Sequence, residues 1–289
     1  MQRQQIPNDY EDLIRLIHER HDEMSKSYQR IAVYLTQNPN DVAVMSLNAI
    51  ADVCGVHASS FVRFAQMLGY NGFKDLQTLF QKRLSTAAPG FEARVKALEA
   101  ELSNRGNAGG GAFLHDLVLR DIATLQELLT DILPETIDKA VAMMEVADTI
   151  YLVGQLRSAP IVELMRYILT MLGKRVVLLD ASGGLATHMV RAVRSSDLLF
   201  AVSFRFYATE VVNIVESAAA KGVPIIAISD STLSPLAKNA TVLFPIPEHQ
   251  YTFSRSLAAP MCLAQALTVA LAAKLQKAEQ PRIPVVTQP

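Results

Sequence analysis

The sequence predicts two domains: an all-helical bundle, then an α/β domain whose five-stranded parallel sheet is flanked by helices. Three observations carry this. Up to residue 84 the apolar residues recur at helical spacing. Between residues 149 and 245 five short apolar runs alternate with helical segments, the pattern of a parallel sheet covered on both faces. Between these regions Ser85-Thr-Ala-Ala-Pro-Gly90 and the Gly- and Asn-rich stretch from Asn104 to Gly111 break either pattern and read as a linker around one helical piece, Phe91 to Leu102. The expected division is therefore a helical domain at 1–84, a linker at 85–111, an α/β domain at 112–279 and a Pro-containing tail at 280–289. A chain of 289 residues, half of them hydrophobic, is long enough for each domain to bury its own core.

The first helix covers residues 10–24, with Leu13, Leu16 and Ile17 on one side. The second, residues 25–37, repeats the pattern with Tyr28, Ile31, Ala32 and Leu35 and is stopped by Asn38-Pro39. Ser46 then caps a short helix that turns Leu47, Ile50 and Ala51 inward, and Cys54-Gly55-Val56 makes a corner. In the helix after it, Phe61, Phe64, Ala65 and Leu68 fall on one buried face, so Ser59, Arg63 and Gln66 point the opposite way. This is a helix-turn-helix, and a short helix with a small polar start and one outward arginine suits a major groove. Gly72-Phe73 opens one more helix to Leu84, and Tyr70, Phe73 and Phe80 sit on its apolar stripe as core, not as platforms for bases. The candidate DNA contacts are His57, Ser59, Ser60, Arg63, Gln66 and Lys74. The plainer alternative is a helical bundle in which these side chains are only solvated surface.

Charge bears on that choice. Residues 1–84 hold nine Lys/Arg and nine Asp/Glu, which argues against non-specific coating of nucleic acid. Between residues 53 and 84, however, Arg63, Lys74, Lys82 and Arg83 face only Asp75, so the second helix of the motif and the helix after it are locally basic.

In the second domain, helices at 113–131 and 134–146 lead into a strand at Thr149 to Gly154 and a helix to Leu172. Further strands lie at 175–180, 198–203, 223–229 and 240–245, and a final helix spans 255–277. In an open α/β sheet a ligand sits at the carboxyl ends of the strands, near the reversal in strand order. Two loops qualify, Gly154-Gln-Leu-Arg-Ser158 and Ser203-Phe-Arg-Phe-Tyr-Ala-Thr209, each preceding a helix whose free N–H groups favour an anion. Ser182-Gly-Gly184, with His188 one turn on, makes a third approach.

The order and spacing of Ser27-Tyr-Gln-Arg-Ile-Ala-Val-Tyr-Leu-Thr-Gln-Asn-Pro39, Met45-Ser-Leu-Asn-Ala-Ile-Ala, Gly55-Val56, Val62-Arg63-Phe64-Ala65, Leu68-Gly69-Tyr70 and Gly72-Phe73 resemble the DNA-binding domain of RpiR-type bacterial transcription regulators. That resemblance implies a second, sugar isomerase (SIS) domain that senses a phosphorylated sugar or related metabolite. It places the phosphate-binding serines and threonines of such domains on the two loops just named. Here the loops depart from the pattern. Leu156 stands where a small residue is usual, and Arg205, Phe206 and Ala208 replace the Ser, Gly and Thr of Ser-x-Ser-Gly-x-Thr. An arginine restores charge bidentately, while Phe206 and Tyr207 narrow the cavity. The candidate effector contacts are Gln155, Arg157, Ser158, Ser203, Arg205, His249 and Arg255. The expected effector is a sugar phosphate, with an unphosphorylated polyol or a sugar acid as the alternative. The plainer reading makes Arg157 and Arg205 ion-pair partners and Ser203 a helix cap.

Two rival classes stand beside the regulator. SIS-type domains also isomerise sugars, and Glu210, Glu248, His188 and His249 are the groups available for proton transfer, but no two of them form a compelling pair. A non-catalytic sugar-binding scaffold is the third reading. The expected partners are double-stranded operator DNA and the small molecule, in a homodimer or homotetramer, with no metal or cofactor. Two distant cysteines, Cys54 and Cys262, and the absence of an apolar leader fit the reducing cytoplasm. The apolar run from Leu257 to Leu275 is broken by Pro260, Gln265 and Lys274 and reads as a core helix, not a membrane span.

Overall fold

The computed structural model describes residues 6–85, 95, 98, 99, 102, 110–180, 184–205, 207–246 and 255–279. The expected linker falls largely outside these residues, and the tail entirely. The chain divides into two compact units, one built on Met1–Gly106 with Ser231–Lys238, the other on Asn107–Asp230, Asn239–Glu248 and Arg255–Pro289.

The first unit is helical. Its elements are α1 (Tyr10–Arg20), α2 (Lys26–Gln37), α3 (Pro39–Val44), α4 (Leu47–Cys54), α5 (Ala58–Met67) and α6 (Phe73–Ser85). Caps written in the sequence start three of them: Asp9 accepts from the Asp12 amide at 2.9 Å, Ser25 from Tyr28 at 3.4 Å and Ser46 from Ala49 at 3.3 Å. Two expectations need correction. The first helix ends at Arg20 and passes into a short 3-10 turn, His21–Glu23. Asn38-Pro39 does stop α2, but Pro39 also starts α3, because a missing N–H and a fixed φ suit the first helical turn. The end of α3 is held by α6: Gln77 Nε2 donates to the carbonyls of Val42 (2.8 Å) and Met45 (2.9 Å), and Gln81 Nε2 to that of Ala43 (3.2 Å). Those carbonyls have no partner within their own helix.

The core of this unit is aromatic at its centre. Phe61 packs edge-on to Phe73, Phe64 to Tyr28 and Phe80 to Tyr10, all with ring centroids 5.2–5.5 Å apart. Tyr70 is buried and donates its hydroxyl hydrogen to the Pro7 carbonyl at 2.8 Å. Cys54 lies half-buried against the same core, and burial pushes its thiol from 9.0 up to about 11. The fold therefore disfavours the thiolate. Between about pH 9 and pH 11 the unfolded chain ionises here first, so this contribution to stability is whole below pH 9 and is lost as pH rises through the window. Denaturant titrations over that range should show a shallower decline in Cys54→Ala than in the unmodified chain.

The second unit comprises α7 (Gly110–Asp131), α8 (Pro134–Val146), β1 (Ile150–Gly154), α9 (Ala159–Met171), β2 (Val176–Leu178), α10 (Ala186–Met189), β3 (Leu198–Val202), α11 (Thr209–Ala219), β4 (Ile225–Ser229), β5 (Val242–Pro245) and α12 (Ala258–Glu279). The strands form one parallel sheet in the order β2-β1-β3-β4-β5. Every residue of β3 and β4 is buried, whereas the edge strands β2 and β5 are partly exposed. Helix α12 is long and apolar enough to cross a membrane. Its Ala259, Leu263, Ala264, Leu267 and Leu271 nevertheless lie in the core of this unit, as a core helix requires.

Candidate functional site

Two regions present chemistry, and the sequence builds each from local rules. In the first unit, α4 closes on Gly55, whose φ of 62° a side chain would strain. The Gly55 amide bonds the Asp52 carbonyl at 3.2 Å and the Val56 amide bonds that of Ala51 at 3.1 Å, the paired closure of a Schellman end. Val56 packs onto the core. This corner fixes where α5 starts and therefore which face of it is free. Phe61, Phe64 and Ala65 point inward, and Ser59, Arg63 and Gln66 form the exposed face. His57 stands exposed at the N-cap without capping the helix through its side chain, and Ser60 is half-buried. Lys74, in the first turn of α6, is exposed.

The local basic charge is smaller than the residue count suggested. Arg83 is buried: its Nη1 donates to Asn40 Oδ1 at 3.0 Å and its guanidinium lies over the Tyr10 ring at 5.0 Å. It braces α6 against α1 and α3, which leaves Arg63, Lys74 and Lys82 as the exposed cations of that stretch.

In the second unit the order reverses between β1 and β3: the chain leaves β1 for β2 on one side and returns to β3 on the other. Because Gly154 pairs with Val202, the loops that leave these two strands start side by side at the carboxyl edge of the sheet. Two contacts bear this out. Gln155 Nε2 donates a hydrogen bond to Glu210 Oε2 in the first turn of α11. The Arg157 guanidinium lies 4.6 Å from the centre of the Phe204 ring. Ser158 and Ser203 are both buried, and Ser229 Oγ donates to the Ser203 carbonyl at 2.7 Å, tying the end of β4 to that of β3. Neither α9 nor α11 has a side-chain cap at its start.

Arg205 is buried too and is met by a residue that the sequence pattern did not single out. Asp230, at the end of β4, places Oδ2 3.7 Å from Arg205 Nε, with the two side chains only 1% and 8% exposed. An arginine twenty-five positions from its carboxylate is paired only by the parallel register of β3 and β4, which no local motif announces. The loops also hold two non-glycine residues at positive φ: Leu156 at 54° and Tyr207 at 23°. Leu156 is 77% exposed, so the strain is not offset by burial. Tyr207 is buried. Arg255 is half-buried at the approach to α12, and His188 is exposed on α10. His249, Glu248 and Phe206 lie outside the described residues. Among the described residues no group of three or more His, Cys, Asp and Glu is placed to hold a metal ion.

Gly154 is required by space. A Cβ there would meet Val162 Cγ1 at 3.0 Å and the Ser158 carbonyl oxygen at 3.2 Å, where the start of α9 crosses the end of β1. Gly154→Ala is expected to cost about 1–3 kcal/mol in a urea unfolding measurement, because both neighbours are fixed by the fold.

Comparison with known proteins matches two family models along the chain. Residues 11–87 match the model of the helix-turn-helix domain of the rpiR family, and residues 143–270 that of the SIS domain. An Escherichia coli K12 protein named as the uncharacterized HTH-type transcriptional regulator YfhH is 27% identical over 87% of this chain and 86% of its own length. The sugar isomerase domain of an RpiR transcription factor from Sphaerobacter thermophilus is 28% identical, with a TM-score of 0.53 over 56% of this chain and 90% of that one. The NanR protein of Vibrio vulnificus, solved with ManNAc-6P, shares the fold along 92% of both chains, with 19% identity and a TM-score of 0.52.

Proposed function

We propose, from the premise that this chain belongs to the RpiR-type regulators with an rpiR-family helix-turn-helix domain followed by a SIS domain, that it reads an operator through α5 and releases or retains it in response to a sugar-derived metabolite. The observation that carries this reading is the exposed polar face of α5, Ser59, Arg63 and Gln66, held out by a buried aromatic core on the opposite side. Such a face offers hydrogen-bond donors and acceptors to base edges, with His57, Ser60 and Lys74 near the phosphates. The metabolite binds at the loops after β1 and β3, which carry Gln155, Arg157, Ser158, Ser203 and Arg205, with Arg255 as a further contact. A sugar-derived effector fits the SIS fold, and the NanR relative was solved with a sugar phosphate.

The chain acts as a homodimer in the cytoplasm, two copies of α5 meeting successive major grooves about 34 Å apart on a roughly palindromic site. It carries out no reaction on the sugar. Among the described groups at the loops, Glu210 is held by Gln155 and Asp230 faces Arg205, so neither is placed as a free base. The effector acts by binding one arrangement of the dimer better than the other, since equal affinity shifts nothing.

The test is selection of random duplexes by the full chain, then competition with sugars and sugar derivatives. A palindromic sequence should be enriched and should be bound differently once the effector is added. Turnover of a sugar, or no preference among duplexes, would overturn the reading.

A further inference from the structure

We infer that the outer face of α7, continued by that of α12, is the surface on which a second copy of this chain docks; the inference rests on the homodimer proposed above and names the part of the chain that makes it. Helix α7 is inside out. None of its 22 residues is buried. From Gly111 to Thr130 its exposed positions include Leu114, Val118, Leu119, Ile122, Ala123 and Leu129, and none of them is an Asp, Glu, Lys or Arg. The four charged residues of the same stretch, Asp116, Arg120, Asp121 and Glu127, are all half-buried. A helix whose outer side meets water carries its charges on that side and its apolar residues on the other. Here Leu119 is 52% exposed, Ile122 47% and Leu129 86%, an apolar strip of the kind that a partner covers.

Helix α12, which packs against α7, continues the face. From Ala258 to Ala273 it has no charged residue. Its inward side fills the core with Leu263, Leu267 and Leu271, while Cys262, Ala266, Val269 and Ala273 stand exposed on the other. Charge, area and shape together select a copy of the same chain as the occupant. The face offers no cation to a nucleic acid and no charge of either sign to a charged peptide, whereas homodimer contacts are the more apolar class of interface. Each helix is about 33 Å long and about 10 Å across, so the two strips present roughly 600 Å² per copy, near the roughly 800 Å² per partner of a stable interface. The face also holds both halves of a fit: large side chains stand out along α7, and small ones flanking Val269 leave a furrow along α12. A two-fold contact lays one patch on its own copy, so the ridge of each chain fills the furrow of the other.

The experiment measures the mass of the full-length chain by analytical ultracentrifugation over a dilution series, beside Ile122→Asp and Ala266→Arg. The unmodified chain should sediment as two copies at micromolar concentration. Each substitution should raise the dimer dissociation constant at least about a hundredfold, because symmetry buries the new charge twice in an uncharged contact. Both positions are exposed in the single chain, so circular dichroism and the melting temperature should show it folded. Val44→Asp puts the same charge on an apolar residue of the first unit that is 71% exposed, and should leave the mass unchanged. A chain that stays single at every concentration, a folded dimer that survives Ile122→Asp or Ala266→Arg, or one that Val44→Asp breaks equally, overturns the inference; selection of a duplex and a response to a sugar would then leave the sensor function standing. No preference among duplexes would remove that function, while the masses would still decide this face. Should Ile122→Asp not fold, Leu119→Gln combined with Ile122→Gln, which adds no charge, should weaken the dimer at least about tenfold, and a dimer unmoved by it overturns the inference alike.

Discussion

Arg205→Ala is expected to lose about 3–5 kcal/mol of stability, the cost of stranding one partner of a buried ion pair. The side chain that stays behind is Asp230, 1% exposed, with Arg205 as its ion-pair partner among the described residues. Asp230→Ala should be costly for the mirror reason. The double alanine variant should recover part of the loss, since it strands neither charge. Urea unfolding of the four chains gives the coupling energy directly, and two single variants whose small losses simply add would show that the pair does nothing for the fold. In conditions where Arg205→Ala remains folded, the same variant should bind operator normally and ignore the sugar.

Arg63→Ala should do the reverse. Arg63 is exposed in the middle of the free face of α5, one turn beyond Ser59, and in the function proposed above its guanidinium reaches a guanine edge bidentately. Losing such a contact costs about 1–3 kcal/mol for each copy bound and relaxes the preference at one base position. Because the side chain is exposed, unfolding and sugar binding should be unchanged. Fluorescence anisotropy on the selected operator and on single-base variants of it measures both effects. A uniform loss across all variants, with a shallower dependence on salt, would instead assign Arg63 to the phosphates.

The sheet was legible because its strands are short apolar runs between helices, and the two central ones are buried throughout. The recognition helix was legible because the period of Phe61, Phe64 and Ala65 leaves only one face for Ser59, Arg63 and Gln66. What escaped the sequence depended on distance along the chain. Arg83 looked like part of a basic surface, yet it reaches Asn40, forty-three positions away, and turns inward. Asp230 meets Arg205 only because β3 and β4 are paired in parallel. Helix α3 was missed for a local reason: Pro39 ends the helix before it and opens the one after it by the same lack of an N–H.

The two glutamines of α6 have a mechanical consequence. With Gln77 and Gln81 hooked onto the last carbonyls of α3, and Arg83 set between Tyr10 and Asn40, the final helix of the bundle is tied to its scaffold by three side chains within two turns. Force applied to the C-terminal end of α6 is therefore carried into α3 and α1 and is not spent on unwinding its own last turns.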